Sequence, residues 1–107
     1  QTIMALANQT AAWLGIDKKI ESEDVLVNDA YCRAGYGILQ PVETEAIRLF
    51  ARTEGILLDP VYTGRAAAGL IDLIRKGFFS PDETVLFWHT GGIPALFAEP
   101  YASALLG

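Results

Sequence analysis

The sequence is poor in the residues on which reactive centres are most often built. Its 107 residues hold one cysteine, one histidine, one methionine and three lysines. A single cysteine, Cys32, makes neither an internal disulfide nor a cysteine metal cluster, so a reducing interior is the expected setting. His89 stands alone, which leaves no second histidine for a metal site and no Ser/Asp spacing for a triad. Lys18 and Lys19 share a polar turn and Lys76 follows Arg75, so none has the desolvated setting of a Schiff-base lysine. Positive charge is scarce too: eight Lys and Arg against thirteen Asp and Glu give a net charge of −5, which argues against nucleic acid as a partner. Apolar runs such as Val85–Trp88 fall far short of the ~20 residues a bilayer helix needs, so no membrane span is expected. Gln1–Leu14 has no basic leader, and a cytoplasmic location is the expectation. There is no phosphate-binding P-loop and no dinucleotide fingerprint.

What is present is a core. At 51% hydrophobic and 20% charged, the chain is too apolar to be disordered and too short for more than one domain. Residues 3–14 read as a helix stopped by Gly15. Pro41–Glu54 is the clearest helix, with Pro41 in its first turn, Glu43 and Glu45 near its N-terminus, and Ala46, Ile47, Phe50 and Ala51 as its apolar stripe. Arg65–Lys76 is another, closed by Gly77, and Pro94 can open a further one. Between them lie three short apolar runs, Val25–Val27, Ile56–Leu58 and Val85–Trp88, which read as buried strands. The alternation predicts an α/β fold with an open, mostly parallel sheet and flanking helices. Ligands in such sheets sit at the carboxyl ends of strands, which draws attention to Tyr62-Thr63-Gly64 and His89-Thr90-Gly91-Gly92.

Taken residue by residue, these two segments stay ambiguous. The Gly91-Gly92 pair allows backbone to approach a ligand, yet equally serves a tight turn that needs positive φ. Thr63 fits a helix N-cap with Asp59 stabilising the turn. His89 fits a packed, hydrogen-bonded position, and Cys32 an inert thiol.

Read as whole motifs they say more. Leu57-Leu58-Asp59-Pro60-Val61-Tyr62-Thr63-Gly64-Arg65-Ala66 and Val85-Leu86-Phe87-Trp88-His89-Thr90-Gly91-Gly92-Ile93-Pro94-Ala95-Leu96-Phe97 stand in order, preceded by Gly35-Tyr36-Gly37. Together they resemble the C-terminal part of the D-cysteine desulfhydrase and 1-aminocyclopropane-1-carboxylate deaminase family, which are pyridoxal-phosphate enzymes of the tryptophan-synthase-β type. The resemblance runs from about Gln1 to Ala98. It implies that residues 1–107 form a single partial domain, the C-terminal segment of a larger enzyme. It also implies pyridoxal 5′-phosphate as cofactor, a small amino acid as substrate and a homodimer in the complete enzyme.

Site residues carry over on the same basis. Tyr62 matches the active-site tyrosine, Thr63 and Thr90 match contacts to the cofactor's ring nitrogen, and Gly91 is counted with them as cofactor-binding. Ring-opening deaminases usually carry Glu after the motif tyrosine and Leu after the motif histidine. Thr63 and Thr90 are instead the pattern of the D-cysteine desulfhydrase branch, in which hydroxyls contact a largely neutral ring nitrogen. The implied reaction is α,β-elimination, in which D-cysteine and water give pyruvate, sulfide and ammonia. The same family includes the cyclopropane deaminases and L-cysteate sulfo-lyases, and a non-catalytic remnant or interaction module is the competing expectation. Cys32-Arg33-Ala34 departs from the usual Gly-Pro before the loop, and Arg65 replaces a usual Lys. The family's Schiff-base lysine and phosphate-cradling loop match nothing here, so the chain alone is expected to be inactive.

Overall fold

The computed structural model describes residues 1–106. Among these residues four α-helices follow one another: α1 (Thr2–Trp13), α2 (Pro41–Thr53), α3 (Thr63–Arg75) and α4 (Tyr101–Leu106). Short 3₁₀ segments lie at Ser22–Asp24 and Ile93–Phe97, the latter where the sequence lets Pro94 open a helix.

Helix α2 starts as its sequence dictates. Pro41 occupies its first turn, and the Gln40 N–H donates to Glu43 Oε2 at 3.0 Å, closing a capping box. Its inner face is Ala46 and Ile47, both buried. Helix α3 presents the small residues Gly64, Ala67, Ala68 and Gly69, all buried. Small residues let the α2 and α3 backbones come close, and Leu58, Leu96 and Leu105 complete the core around that contact.

Gly64 is the tightest point of the packing. A Cβ there would lie 2.6 Å from the carbonyl oxygen of Asp59 and 2.9 Å from Ile47 side-chain atoms. Because one of the obstacles is backbone, repacking one side chain does not relieve the clash. Gly64→Ala is therefore expected to lower stability by about 1–3 kcal/mol, read as a lower urea midpoint at unchanged slope. An unchanged midpoint would contradict the packing described.

The expected sheet is not formed among the described residues. Val25–Val27, Ile56–Leu58 and Val85–Trp88, read from sequence as strands, run as irregular segments without a ladder. The reason is that a strand, unlike a helix, satisfies its N–H and C=O groups only through a neighbour. Around the 85–88 segment the contacts are side-chain ones: the Phe87 ring stands 5.5 Å from that of Phe50 on α2, and the neighbouring His89 reaches Leu57 O through Nε2 at 2.8 Å. Leu26, Leu86 and Trp88 remain largely exposed. The radius of gyration is 16.3 Å, against about 13 Å for a compact domain of this length. Among the described residues no helix is long and apolar enough to cross a membrane.

Candidate active site

The site is built around the carboxylate of Asp59, which is 1% exposed. Its Oδ2 accepts hydrogen bonds from the Val61 N–H at 2.7 Å and the Tyr62 N–H at 2.8 Å. Its Oδ1 accepts from the Thr63 N–H at 2.6 Å and the Thr63 hydroxyl at 2.7 Å. The Asp59 N–H in turn donates to Thr63 Oγ1 at 2.8 Å. Asp59 thus serves the start of α3 as a capping side chain does. Thr63 is the first helical residue rather than the cap, and α3 begins two residues before the Arg65 expected from sequence. Burial pushes the Asp59 pKa up. The donors from Thr63, Tyr62 and Val61 together outweigh it and hold the carboxyl below its ordinary value.

The segment His89–Gly92 packs against this cap. Gly91 and Gly92 have φ of +96° and +91°, so the glycine pair forms the tight turn. A Cβ on Gly92 would lie 2.8 Å from the Asp59 side chain, which only a glycine backbone permits. His89 Nδ1 accepts from the Gly91 N–H at 3.0 Å, so Nε2 carries the proton and donates to Leu57 O. His89 is a packed residue tying two segments together.

On the outer side stands a pair of tyrosines. The Tyr36 and Tyr62 hydroxyl oxygens are 3.0 Å apart, and the rings meet edge-on with centroids separated by 6.0 Å. The bond to Tyr36, reinforced by the proximity of its phenol, by partial desolvation and by the Asp59 charge, raises the Tyr62 pKa.

These elements border one cleft of about 780 Å³. Tyr62, Thr63 and Thr90, singled out by sequence, all line it, together with Tyr36, Arg65 and Trp88. Gly91 does not line it, and its N–H is engaged by His89. Cys32 sits on the exposed rim, where its thiol donates to Asp29 O at 3.1 Å. Thr63 and Thr90 differ in what they have left to offer. The Thr63 hydroxyl is 2% exposed for the residue as a whole, and its one proton is given to Asp59. Thr90 is exposed, and its hydroxyl is engaged by no group among the described residues. The sequence offers Tyr36 only as part of the Gly35-Tyr36-Gly37 motif, with no role of its own, and gives Asp59 only a turn. The Asp59-to-Thr63 spacing could have revealed the cap, but nothing local pairs Tyr36 with Tyr62.

No protein-family model matches the chain. The 1-aminocyclopropane-1-carboxylate deaminase of Methylobacterium nodulans is 43% identical over 99 residues, covering 92% of this chain and 29% of that protein. The enzyme of the same name from Pseudomonas syringae pv. tomato is 41% identical over 101 residues, covering 94% of this chain and 30% of its own. The crystal structure of an ACC deaminase homologue superposes with a TM-score of 0.75 at 39% identity, over 95% of this chain and 29% of that one. The chain belongs with the C-terminal part of this pyridoxal-phosphate-dependent family. It spans about three-tenths of the length of the curated relatives it matches. Those relatives bear the deaminase name, and so lend no support to D-cysteine in particular.

Proposed function

We propose that this chain forms one wall of the cofactor and substrate pocket of a cytoplasmic, homodimeric pyridoxal-phosphate lyase of the family, and that its reaction is the elimination of sulfide from D-cysteine. The observation that carries this reading is the state of the polar groups at the two motif positions. Asp59, the carboxylate beside them, has both oxygens filled by inward donors, so it offers no acid to a ring nitrogen. The Thr63 proton is spent on the same carboxylate, whereas the Thr90 hydroxyl can still donate. A neutral pyridine nitrogen is an acceptor and needs such a donor. The residues therefore fit the cofactor in its weakly electron-withdrawing form, with Thr90 at the nitrogen and Thr63 holding the start of α3 behind it. When bound, pyridoxal phosphate supplies the electron sink for loss of the Cα proton. That weaker sink suffices where the departing group is as good as sulfide. Tyr62, with Tyr36 against it, stands over the cleft where a phenol can hold or pass a proton.

Ring opening of 1-aminocyclopropane-1-carboxylate is the second reading, favoured by the names of the relatives. A chimera separates the two. The segment of the Methylobacterium nodulans enzyme that matches this chain is replaced by it, and the product is assayed with both substrates. Sulfide from D-cysteine in excess of ammonia from the cyclopropane supports the first reading, and the opposite ratio overturns it in favour of the second. A folded chimera that binds no pyridoxal phosphate overturns both. In the same chimera Thr90→Val is expected to weaken cofactor binding about 2- to 12-fold, the worth of one hydrogen bond, without altering thermal stability measured before the cofactor is added. Equal binding by the variant would remove Thr90 from the ring nitrogen.

A further inference from the structure

The geometry points to Arg65 as the positioning residue that holds Tyr36 against Tyr62. Arg65 lies in the first turn of α3 with its side chain only 12% exposed. Each of its three guanidinium nitrogens has a different acceptor. Nε donates to Glu43 Oε1 at 2.9 Å, one Nη to Gly35 O at 2.9 Å and the other to Ile38 O at 2.7 Å. The two carbonyls bracket Tyr36 and Gly37, so one rigid plane grips both ends of the short loop that carries Tyr36. Glu43 is fixed from behind, because its other oxygen takes the Gln40 N–H and the residue is 1% exposed. A fixed carboxylate fixes Nε, and Nε sets the plane of the fork.

Tyr36 has little else to hold it. It is 78% exposed, and its hydroxyl meets only that of Tyr62 among the described residues. Its place is therefore inherited from its loop. The loop is also held by the Tyr101 hydroxyl, which donates to Gly37 O at 2.6 Å, and by the Gly35 N–H, which donates to Cys32 O at 3.2 Å. A lysine at position 65 keeps the charge for Glu43 but has a single nitrogen, and it cannot span three acceptors arranged around a fork.

The inference deepens the proposed function, since Tyr62 is the side chain that reading places over the cleft, but its test needs neither cofactor nor substrate. Tyrosine ring carbons are labelled in the full chain, and the phenols of Tyr31, Tyr36, Tyr62 and Tyr101 are titrated individually by NMR. The charged and titratable groups acting on Tyr62 are Tyr36 and Asp59. Tyr36→Phe sets the reference, because it removes the bond that raises Tyr62 and should bring it down toward the ordinary value of about 10. Arg65→Lys is expected to move Tyr62 the same way and to abolish the ring-to-ring nuclear Overhauser effect between Tyr36 and Tyr62. Tyr31, held by Asp72 at 2.6 Å, serves as the control and should titrate as before. An unmoved Tyr62 in a folded Arg65→Lys chain overturns the assignment, as does a Tyr62 that moves only together with Tyr31. If Arg65→Lys does not fold, Glu43→Gln combined with Arg65→Gln keeps a neutral bond in place of the ion pair, and the same two outcomes decide. Failure of the chimera to bind pyridoxal phosphate would leave these titrations as they are, so the two ideas fail separately.

Discussion

Truncating Arg65 to alanine is expected to remove about 3–5 kcal/mol of stability, the loss typical when one partner of a buried ion pair is deleted. Glu43 is 1% exposed and sits in the first turn of α2, so its carboxylate cannot turn to water when the guanidinium is gone. The chain must then open locally to bring water to that charge. That is expensive for a protein whose total stability is of order 5–15 kcal/mol, and the urea transition should collapse toward zero denaturant. The contrast with Arg75 and Glu45 sharpens the expectation. That pair is as short, at 2.7 Å, but its side chains are 58% and 55% exposed, so water replaces the lost partner and Arg75→Ala should be nearly silent. Glu43→Leu with Arg65→Met should recover most of the loss, because no charge is then left buried. An Arg65→Ala chain as stable as the parent would reduce the pair to a surface bridge and contradict the burial described.

The same pair shows where the sequence is legible and where it is not. Helix α2 is legible to within a residue, because Pro41, the acidic residues Glu43 and Glu45 near its start and the Ala46–Ile47 stripe all act over a few residues of chain. The three apolar runs read from sequence as buried strands, and the structure bears out neither part for most of their residues. Leu58 is fully buried in the core, while Leu86 and Trp88 are exposed, and no local pattern says whether a partner strand is present. The start of α3 was misplaced because its cap, Asp59, lies beyond Pro60 and acts through a loop. In the cleft, the strand-end rule draws attention to the segments holding Tyr62, Thr63 and Thr90, and only the long motifs matched in order give those residues roles. Arg65 and Tyr36 were missed as partners because their links cross 26 to 30 residues of chain, a distance at which spacing carries no signal.

Asp59→Asn carries the second large expected effect, about 2–4 kcal/mol from a lost cap together with buried donors left facing an amide. An asparagine oxygen can take over from Oδ1 and keep both Thr63 donors. Its NH₂ group then points at the Val61 and Tyr62 N–H groups that Oδ2 accepted, so donor faces donor twice. The loss should depend on pH, and its sign follows from the direction of the shift. The folded pKa of Asp59 lies below its unfolded value of 3.8. Its contribution is therefore fully present above the unfolded pKa and is lost as pH falls through the folded one. Glu45 and Asp72 are also lowered, by Arg75 and by Lys76 with Tyr31 respectively, so acid weakens the parent by several routes. The difference between parent and variant isolates Asp59. Urea transitions at successive pH values should show a constant gap near neutrality that narrows below about pH 4. A gap that stays constant into acid would mean the carboxylate is not held ionised by its donors. Its functional weight follows from position: Tyr62 and Thr63 hang on its oxygens, and the Gly92 turn behind Thr90 rests on its side chain. The loosened cap should therefore disorder the cleft before the helices melt.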